Sequence, residues 1–274
     1  MTLKALRSKL ESEAASVSPF LMLGDPTPEL CVELARIAVQ LGAPMLEIGF
    51  PYSDPSADGP AIQRACQRAM AGGTSTDRAF ELLARISKTC PGVPLNLLVY
   101  GNLAHARGFD RFCADAVAAG ASSLLIPDVP LEECAPVREA SVKHELGLVH
   151  LVAPGTPLDR LQAIDRDATA FLYLTAVQGV TGTDNPTDAS VTRQAMVRRV
   201  ALESDLRSPI CVGFGLSTRE DIQDVIRSGA RIAVIGSHFA RAIERGFDNG
   251  AGQPEDVLNA FRSAAEPLFH PETV

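Results

Sequence analysis

The segment Leu46-Glu47-Ile48-Gly49-Phe50-Pro51-Tyr52-Ser53-Asp54-Pro55-Ser56-Ala57-Asp58-Gly59-Pro60 ends an apolar run in a glutamate. Two aspartates follow in a loop rich in Pro, Gly and Ser. A carboxylate inside an apolar strand is costly unless it has a partner or a task. Glu47 therefore reads either as one half of an ion pair at the rim of the fold or as an acid/base group. Asp54 and Asp58 have an ordinary reading as turn or helix-capping residues. Asp58 has a second one, as a partner carboxylate at the same site. Two carboxylates in different environments suit proton transfer plus charge stabilisation.

Two further apolar runs end in glycine just before a helical pattern: Val212-Gly213-Phe214-Gly215-Leu216-Ser217 and Val234-Ile235-Gly236-Ser237. Each alone is common turn chemistry. As a pair they point to a phosphate site, because glycine lets backbone N–H groups approach an anion and a helix N-terminus adds partial positive charge. A third stretch, Leu172 to Gly182, leaves an apolar run for the polar sequence Thr183-Asp184-Asn185-Pro186-Thr187-Asp188-Ala189-Ser190. It reads as a mobile lid or as a plain surface loop, and Gly182 offers one more amide to an anion.

These groups need a scaffold, and the chain supplies a regular one. Strands are expected to start at residues 19, 45, 95, 122, 148, 170, 210 and 232. Helical patterns lie between them, at Thr27 or Pro28 to Leu41, Pro60–Ala71, Ser75–Ser87, Phe109–Ala119, Leu131–His144, Leu158–Ile164, Ser190–Glu203 and Thr218–Ser228. Patterns near His238–Glu244 and Pro254–Ala265 close the chain. Eight strand–helix units in 274 residues predict an α/β fold, a (β/α)8 TIM barrel, with residues 1–274 forming a single domain. An additional N-terminal helix, about Thr2–Ala14, is placed under the barrel floor. The intervals after the second and sixth strands, 50 and 40 residues, exceed the 22–27 found elsewhere. Long βα connections lie at the C-terminal mouth of a barrel, where barrel enzymes do chemistry.

Composition narrows the function. Hydrophobic residues make up 46 %, enough for a large core. The net charge of −8 disfavours nucleic acid and anionic membrane as partners. No apolar run is long enough to span a bilayer, and the charged N-terminus has no signal-peptide core, so the expected compartment is cytoplasmic. The six cysteines have no ligand spacing and read as buried, reduced thiols, and the five histidines are scattered, so no metal site is expected.

LEIGFPYSDPSADGP, with LGDP after the first strand, GVTG after the sixth, GFGLS after the seventh and IGS after the eighth, resembles the tryptophan synthase alpha chain family. The likeness runs from about Phe20 to Ile243 in the family's order. It implies a retro-aldol lyase that cleaves indole-3-glycerol phosphate to indole and glyceraldehyde 3-phosphate without a cofactor. By the match, Glu47 is the general acid/base, Asp58 stabilises positive charge on the indole N–H, and Tyr173 orients the substrate. Phosphate falls to Gly182, Gly213, Phe214, Gly215, Gly236 and Ser237. The indole wall is Phe20, Leu98 and either Leu125 or Ile126. Asp54, Pro55 and Asn102 match a face that docks on a beta chain in an α2β2 assembly, the pyridoxal phosphate (PLP) belonging to the beta chain. The chain departs from the pattern in having Ala176-Val177 for a usual Ser-Arg pair, a longer segment after GVTG, Met22 and His238. A stand-alone indole-releasing paralogue with an altered lid and a non-catalytic regulatory subunit are the other functions compatible with these residues.

Overall fold

The computed structural model describes residues 3–12, 16–175, 189–202, 205–249 and 252–269. Among them eight parallel strands close into a barrel in sequence order. They are β1 (Ser16–Met22), β2 (Leu46–Gly49), β3 (Leu95–Leu98), β4 (Ser123–Leu125), β5 (Gly147–Val152), β6 (Leu172–Thr175), β7 (Ile210–Gly213) and β8 (Ile232–Ile235). The helices are α1 (Leu3–Ser12), α2 (Pro28–Gln40), α3 (Pro60–Ala71), α4 (Thr76–Thr89), α5 (Gly101–Arg107), α6 (Phe109–Ala118), α7 (Ala135–Lys143), α8 (Leu158–Asp167), α9 (Ala189–Leu202), α10 (Arg219–Arg227), α11 (Ser237–Asn249) and α12 (Pro254–Phe269).

All eight expected strands are present, and the additional N-terminal helix seals the floor. Leu6 and Leu10 of α1 are buried in the cluster that fills the barrel, beside Met45, Ala170 and Ile232. The long interval after β2 holds two helices, α3 and α4, as expected. Helix α5 was not expected; only seven residues long, it carries no long apolar repeat to betray it. The stretch expected as one helix from Leu131 begins as a 3₁₀ turn, Leu131–Glu133, before α7. Most of the proposed lid, residues 176–188, lies outside the described residues, and with it Ala176, Val177 and Gly182.

The barrel packs in two layers because each strand buries both faces. One cluster lies between strands and helices and includes Leu46, Ile48, Leu97, Leu124 and Leu174. Alternation turns the remaining strand positions inward, among them Phe20, Met22, Leu98, Leu125, Val149, Tyr173, Cys211 and Val234. Side-chain caps fix several helix starts. Thr27 accepts from the Leu30 amide, Ser75 from the Arg78 amide, and Thr218 with Asp221 forms a capping box on α10.

Candidate active site

Parallel register assembles the first part of the site. Phe20 on β1 pairs with Glu47 on β2, Glu47 with Asn96 on β3, and Asn96 with Ser123 on β4. Partners in such a row point to the same face, here the barrel interior. Glu47 is 2 % exposed. Its Oε1 accepts from the Asn96 amide nitrogen at 3.0 Å, and its Oε2 from the Tyr173 hydroxyl at 3.3 Å, across the barrel on β6. Both partners are neutral, so the ion-pair reading of Glu47 does not hold. Burial pushes its carboxyl up from 4.5 to about 8; the Asn96 and Tyr173 donors oppose that rise and the charge of Asp58 adds to it.

Asp58 reaches the site from the loop before α3. It is not the helix cap: Gly59 occupies that position, without a side-chain bond. The Asp58 carboxylate instead accepts from the Tyr100 hydroxyl at 2.9 Å, and that hydroxyl accepts from the Ala57 amide at 3.1 Å. Burial raises Asp58 from 3.8 to about 6, against the Tyr100 hydrogen bond. Near neutrality Glu47 thus keeps its proton and Asp58 loses its own, the division that pairing an acid with a charge stabiliser would need.

The mouth above Glu47 is lopsided. Apolar side chains from β1 and β3–β5 line one side: Phe20, Met22, Leu98, Leu125, Val149 and Leu151. Inward positions on β2, β7 and β8 end instead in Gly49, Gly213 and Gly236. A Cβ on Gly213 would stand 1.9 Å from the Tyr173 hydroxyl, and one on Gly49 would stand 2.4 Å from the Phe20 ring. Of the two residues expected in the apolar wall, Leu125 on β4 lies in the cluster that fills the barrel. Ile126, one residue beyond β4, packs in the cluster between sheet and helices.

On the glycine side, Phe214 and Gly215 are both left-handed, with φ of 67° and 76°. The Phe214 ring packs edge-on to Tyr173 at 5.5 Å. The first turn of α10 holds Glu220 and Asp221, and Asp221 Oδ2 already takes the Ser217 and Thr218 amides. Helix α11, which starts at Ser237 just after Gly236, has no acidic residue in its first turn. An anion is therefore better placed at the N-terminus of α11 than at that of α10. His238 faces away from this turn, bonded to the Ala264 carbonyl of α12 at 3.2 Å.

Four residues of the site escaped the sequence reading. Asn96 and Tyr100 hold the carboxylates, Ser123 holds Asn96, and Asn96 carried the same signal as Glu47, a polar residue within an apolar strand. Arg193 of α9 had no such signal. It is 5 % exposed, pairs with Asp221, and donates to the Gly215 carbonyl at 3.4 Å. Burial favours the neutral form of Asp221, but the Ser217 amide, Arg193 and the Thr218 amide together hold its carboxyl below the usual range. Arg193 thus cancels a negative charge beside the glycine turn. Arg193→Met is expected to raise KM for a phosphorylated substrate about tenfold with a smaller change in kcat, as steady-state kinetics will read.

The six cysteines are free and buried, as expected. Cys134, His150 and Asp167 form the one group of potential metal ligands among the described residues. His150 points out of the barrel, because its neighbours Val149 and Leu151 point in. Asp167 accepts from Cys134, His150 and Arg138. With a guanidinium already on the carboxylate, the group is a hydrogen-bonded latch between β5, α8 and the start of α7.

Asp54 and Asn102 are exposed, and Pro55 is buried. Asn102 donates to the Tyr52 hydroxyl at 3.5 Å, and Tyr52 stacks on Tyr100 at 5.1 Å. The rim is thereby linked to the partner of Asp58.

A family model for the tryptophan synthase alpha chain matches residues 6–267. The tryptophan synthase alpha chain of Shewanella baltica is 39 % identical over 242 residues, 88 % of this chain and 87 % of that one. That of Cronobacter sakazakii is 37 % identical over 244 residues, 89 % of each. Among solved structures, a chain of the Pyrococcus furiosus tryptophan synthase α2β2 complex superposes with a TM-score of 0.82 at 28 % identity, covering 92 % of this chain and 97 % of that one. A chain of Mycobacterium tuberculosis tryptophan synthase gives 0.79 at 28 %, covering 97 % and 95 %. With the motifs in order around a closed barrel and the match running nearly end to end, the chain belongs to the tryptophan synthase alpha chain family.

Proposed function

We propose that this chain is an alpha-type lyase that cleaves indole-3-glycerol phosphate to indole and glyceraldehyde 3-phosphate. The observation that carries the reading is the lopsided mouth. An apolar wall on β1 and β3–β5 faces a glycine-lined anion side on β7 and β8, with Glu47 and Tyr173 between them. An indole ring fits the first side and a phosphate the second.

Protonated Glu47 delivers its proton to the ring carbon that bears the side chain. Positive charge builds on the indole N–H, and ionised Asp58 stabilises it. The Glu47 carboxylate then takes the proton of the adjacent glycerol hydroxyl. The carbon–carbon bond breaks, its electrons return to the ring, and the carbinol becomes the aldehyde. One carboxyl group serves as acid and then base, so Glu47 ends the cycle protonated. Tyr173 holds the carboxyl across the barrel. The phosphate is met by amides of Gly213, Phe214, Gly215 and Gly236, the Ser237 hydroxyl and, in the segment beyond β6, Gly182. An acidic chain can hold an anion in this way without a basic patch. The step draws on no cofactor of this chain.

Asp54, Pro55 and Asn102 are assigned to a face for a tryptophan synthase beta chain, in an α2β2 assembly where PLP belongs to the beta chain. The Asn102–Tyr52–Tyr100 path gives such a partner a physical route to Asp58. Among the described residues no helix is long and apolar enough to cross a membrane. A cytoplasmic site of action fits a lyase of this family.

The test is indole release from indole-3-glycerol phosphate, with and without a beta chain, across pH. The expected kcat/KM profile is a bell. It rises as Asp58 loses its proton near 6 and falls as Glu47 loses its proton near 8. Release by the isolated chain at a rate a beta chain does not change would instead favour the stand-alone paralogue. No release under either condition, with a phosphate analogue still bound, would overturn the lyase reading.

A further inference from the structure

We propose that Asn96, oriented by Ser123, is a positioning residue that keeps Oε1 of Glu47 a permanent hydrogen-bond acceptor and so confines the transferable proton to Oε2. The proposal rests on the acid/base role given to Glu47 above and adds which oxygen does the work.

Asn96 is out of place by composition. Its strand is otherwise leucine, and its side chain is fully buried. An amide in that position costs free energy unless its groups are paired, and an apolar side chain would pack there without that cost. Ser123, also fully buried, stands next to it in the register row and donates its hydroxyl to Asn96 Oδ1 at 2.7 Å. The ionised Glu47 carboxylate can only accept, which keeps the Nδ2 end toward it, and the Ser123 hydroxyl completes the arrangement by donating to the other end. With Oδ1 turned to Ser123, the Nδ2 end faces Glu47 and donates to Oε1 at 3.0 Å.

The two oxygens of Glu47 then differ in kind. An amide N–H can only donate, so a proton on Oε1 would face another proton. The Tyr173 hydroxyl, 3.3 Å from Oε2, can do either. It donates to Oε2 when Glu47 is ionised and accepts from it when Glu47 is protonated. The proton therefore sits on Oε2, the oxygen aimed at Tyr173 across the barrel. Oε1 is tied to β3, so the carboxyl plane stays fixed while the proton comes and goes. A group that must act as acid and then base at nearby atoms gains from such fixed geometry.

Asn96→Leu, Ser123→Ala and the double variant test the relay. With the donor gone, burial of Glu47 is less opposed. The alkaline limb of the kcat profile is expected to move up by about half a pH unit or more, and kcat at neutral pH to fall about tenfold with KM within about twofold. Ser123→Ala frees the amide to turn and is expected to move both in the same direction by less. Because Ser123 acts through Asn96, the double variant is expected to be no worse than Asn96→Leu alone. Carbon-13 NMR titration of the Glu47 carboxyl, assigned by its loss in Glu47→Gln, reads the same shift without substrate. That measurement separates the two ideas: if wild-type protein releases no indole, the lyase reading fails while the relay is still tested. An alkaline limb or carboxyl titration unmoved in Asn96→Leu would overturn the relay. So would losses from the two single variants that simply add.

Discussion

Glu47→Gln is expected to lower indole release by at least about 10²–10⁴-fold while a substrate analogue carrying phosphate still binds. The amide is close to isosteric with the acid. Its oxygen can accept from Asn96 and its nitrogen can donate to the Tyr173 hydroxyl, so the pocket is kept and only the proton is removed. The same substitution is expected to stabilise the fold at alkaline pH. Glu47 is raised from 4.5 to about 8 in the folded chain. Below 4.5 both folded and unfolded chains hold the proton, and the group's contribution is complete. As pH climbs toward 8 the unfolded chain gives up a proton that the fold retains, and the contribution is lost. Glutamine never ionises, so the variant's Tm should exceed that of the wild type at pH 9 by about 2 °C or more. Calorimetry across pH and a binding titration at pH 7.5 are the checks. A nearly unchanged rate would remove Glu47 from its role, and a Tm deficit at pH 9 would show that its buried charge is not a burden on the fold.

Gly213→Ala carries the second large effect. The added methyl group would stand 1.9 Å from the Tyr173 hydroxyl and 2.5 Å from the ring carbon bearing it. Tyr173 is buried and cannot step aside without leaving Glu47 Oε2 or disturbing Phe214. One methyl group therefore strikes both halves of the site, the carboxyl and the glycine turn. A fall of about 10²-fold or more in kcat/KM is expected from lost alignment, with about 1–3 kcal/mol of destabilisation from overpacking. Gly236→Ala is the contrast, since its nearest neighbour would lie 3.4 Å away, at Phe20, and it should leave Tm close to that of the wild type. Wild-type kinetics in Gly213→Ala would mean that Tyr173 does not need its place on Glu47.

The Cys134–His150–Asp167 latch shows why spacing alone misjudges such groups. The three residues lie 16 and 17 positions apart along the chain, and no local pattern links them. They meet because β5 turns His150 outward toward the end of α8 and the start of α7. The closed barrel decides that meeting. The Arg138 guanidinium on the same carboxylate then decides the chemistry, which is ionic.

Much of the fold was legible in the sequence. Eight apolar runs separated by helical patterns specify parallel units, since short buried strands and amphipathic helices leave few other arrangements. Glu47, Asp58 and the two glycine turns were legible because each breaks its local pattern. Tertiary structure alone decided what surrounds them. Register between β2, β3 and β4 put Asn96 beside Glu47 and Ser123 beside Asn96, closure of the barrel brought Tyr173 to the other oxygen of Glu47, and alternation turned Leu125 into the barrel while Ile126 faced the helices. Arg193, which carried no signal of its own, reached the glycine turn from α9. The physical reason is range. Periodicity and turn chemistry act over a few residues and are written locally. The protonation of a buried carboxyl and the room left for a substrate depend on side chains that come within reach only when the sheet closes.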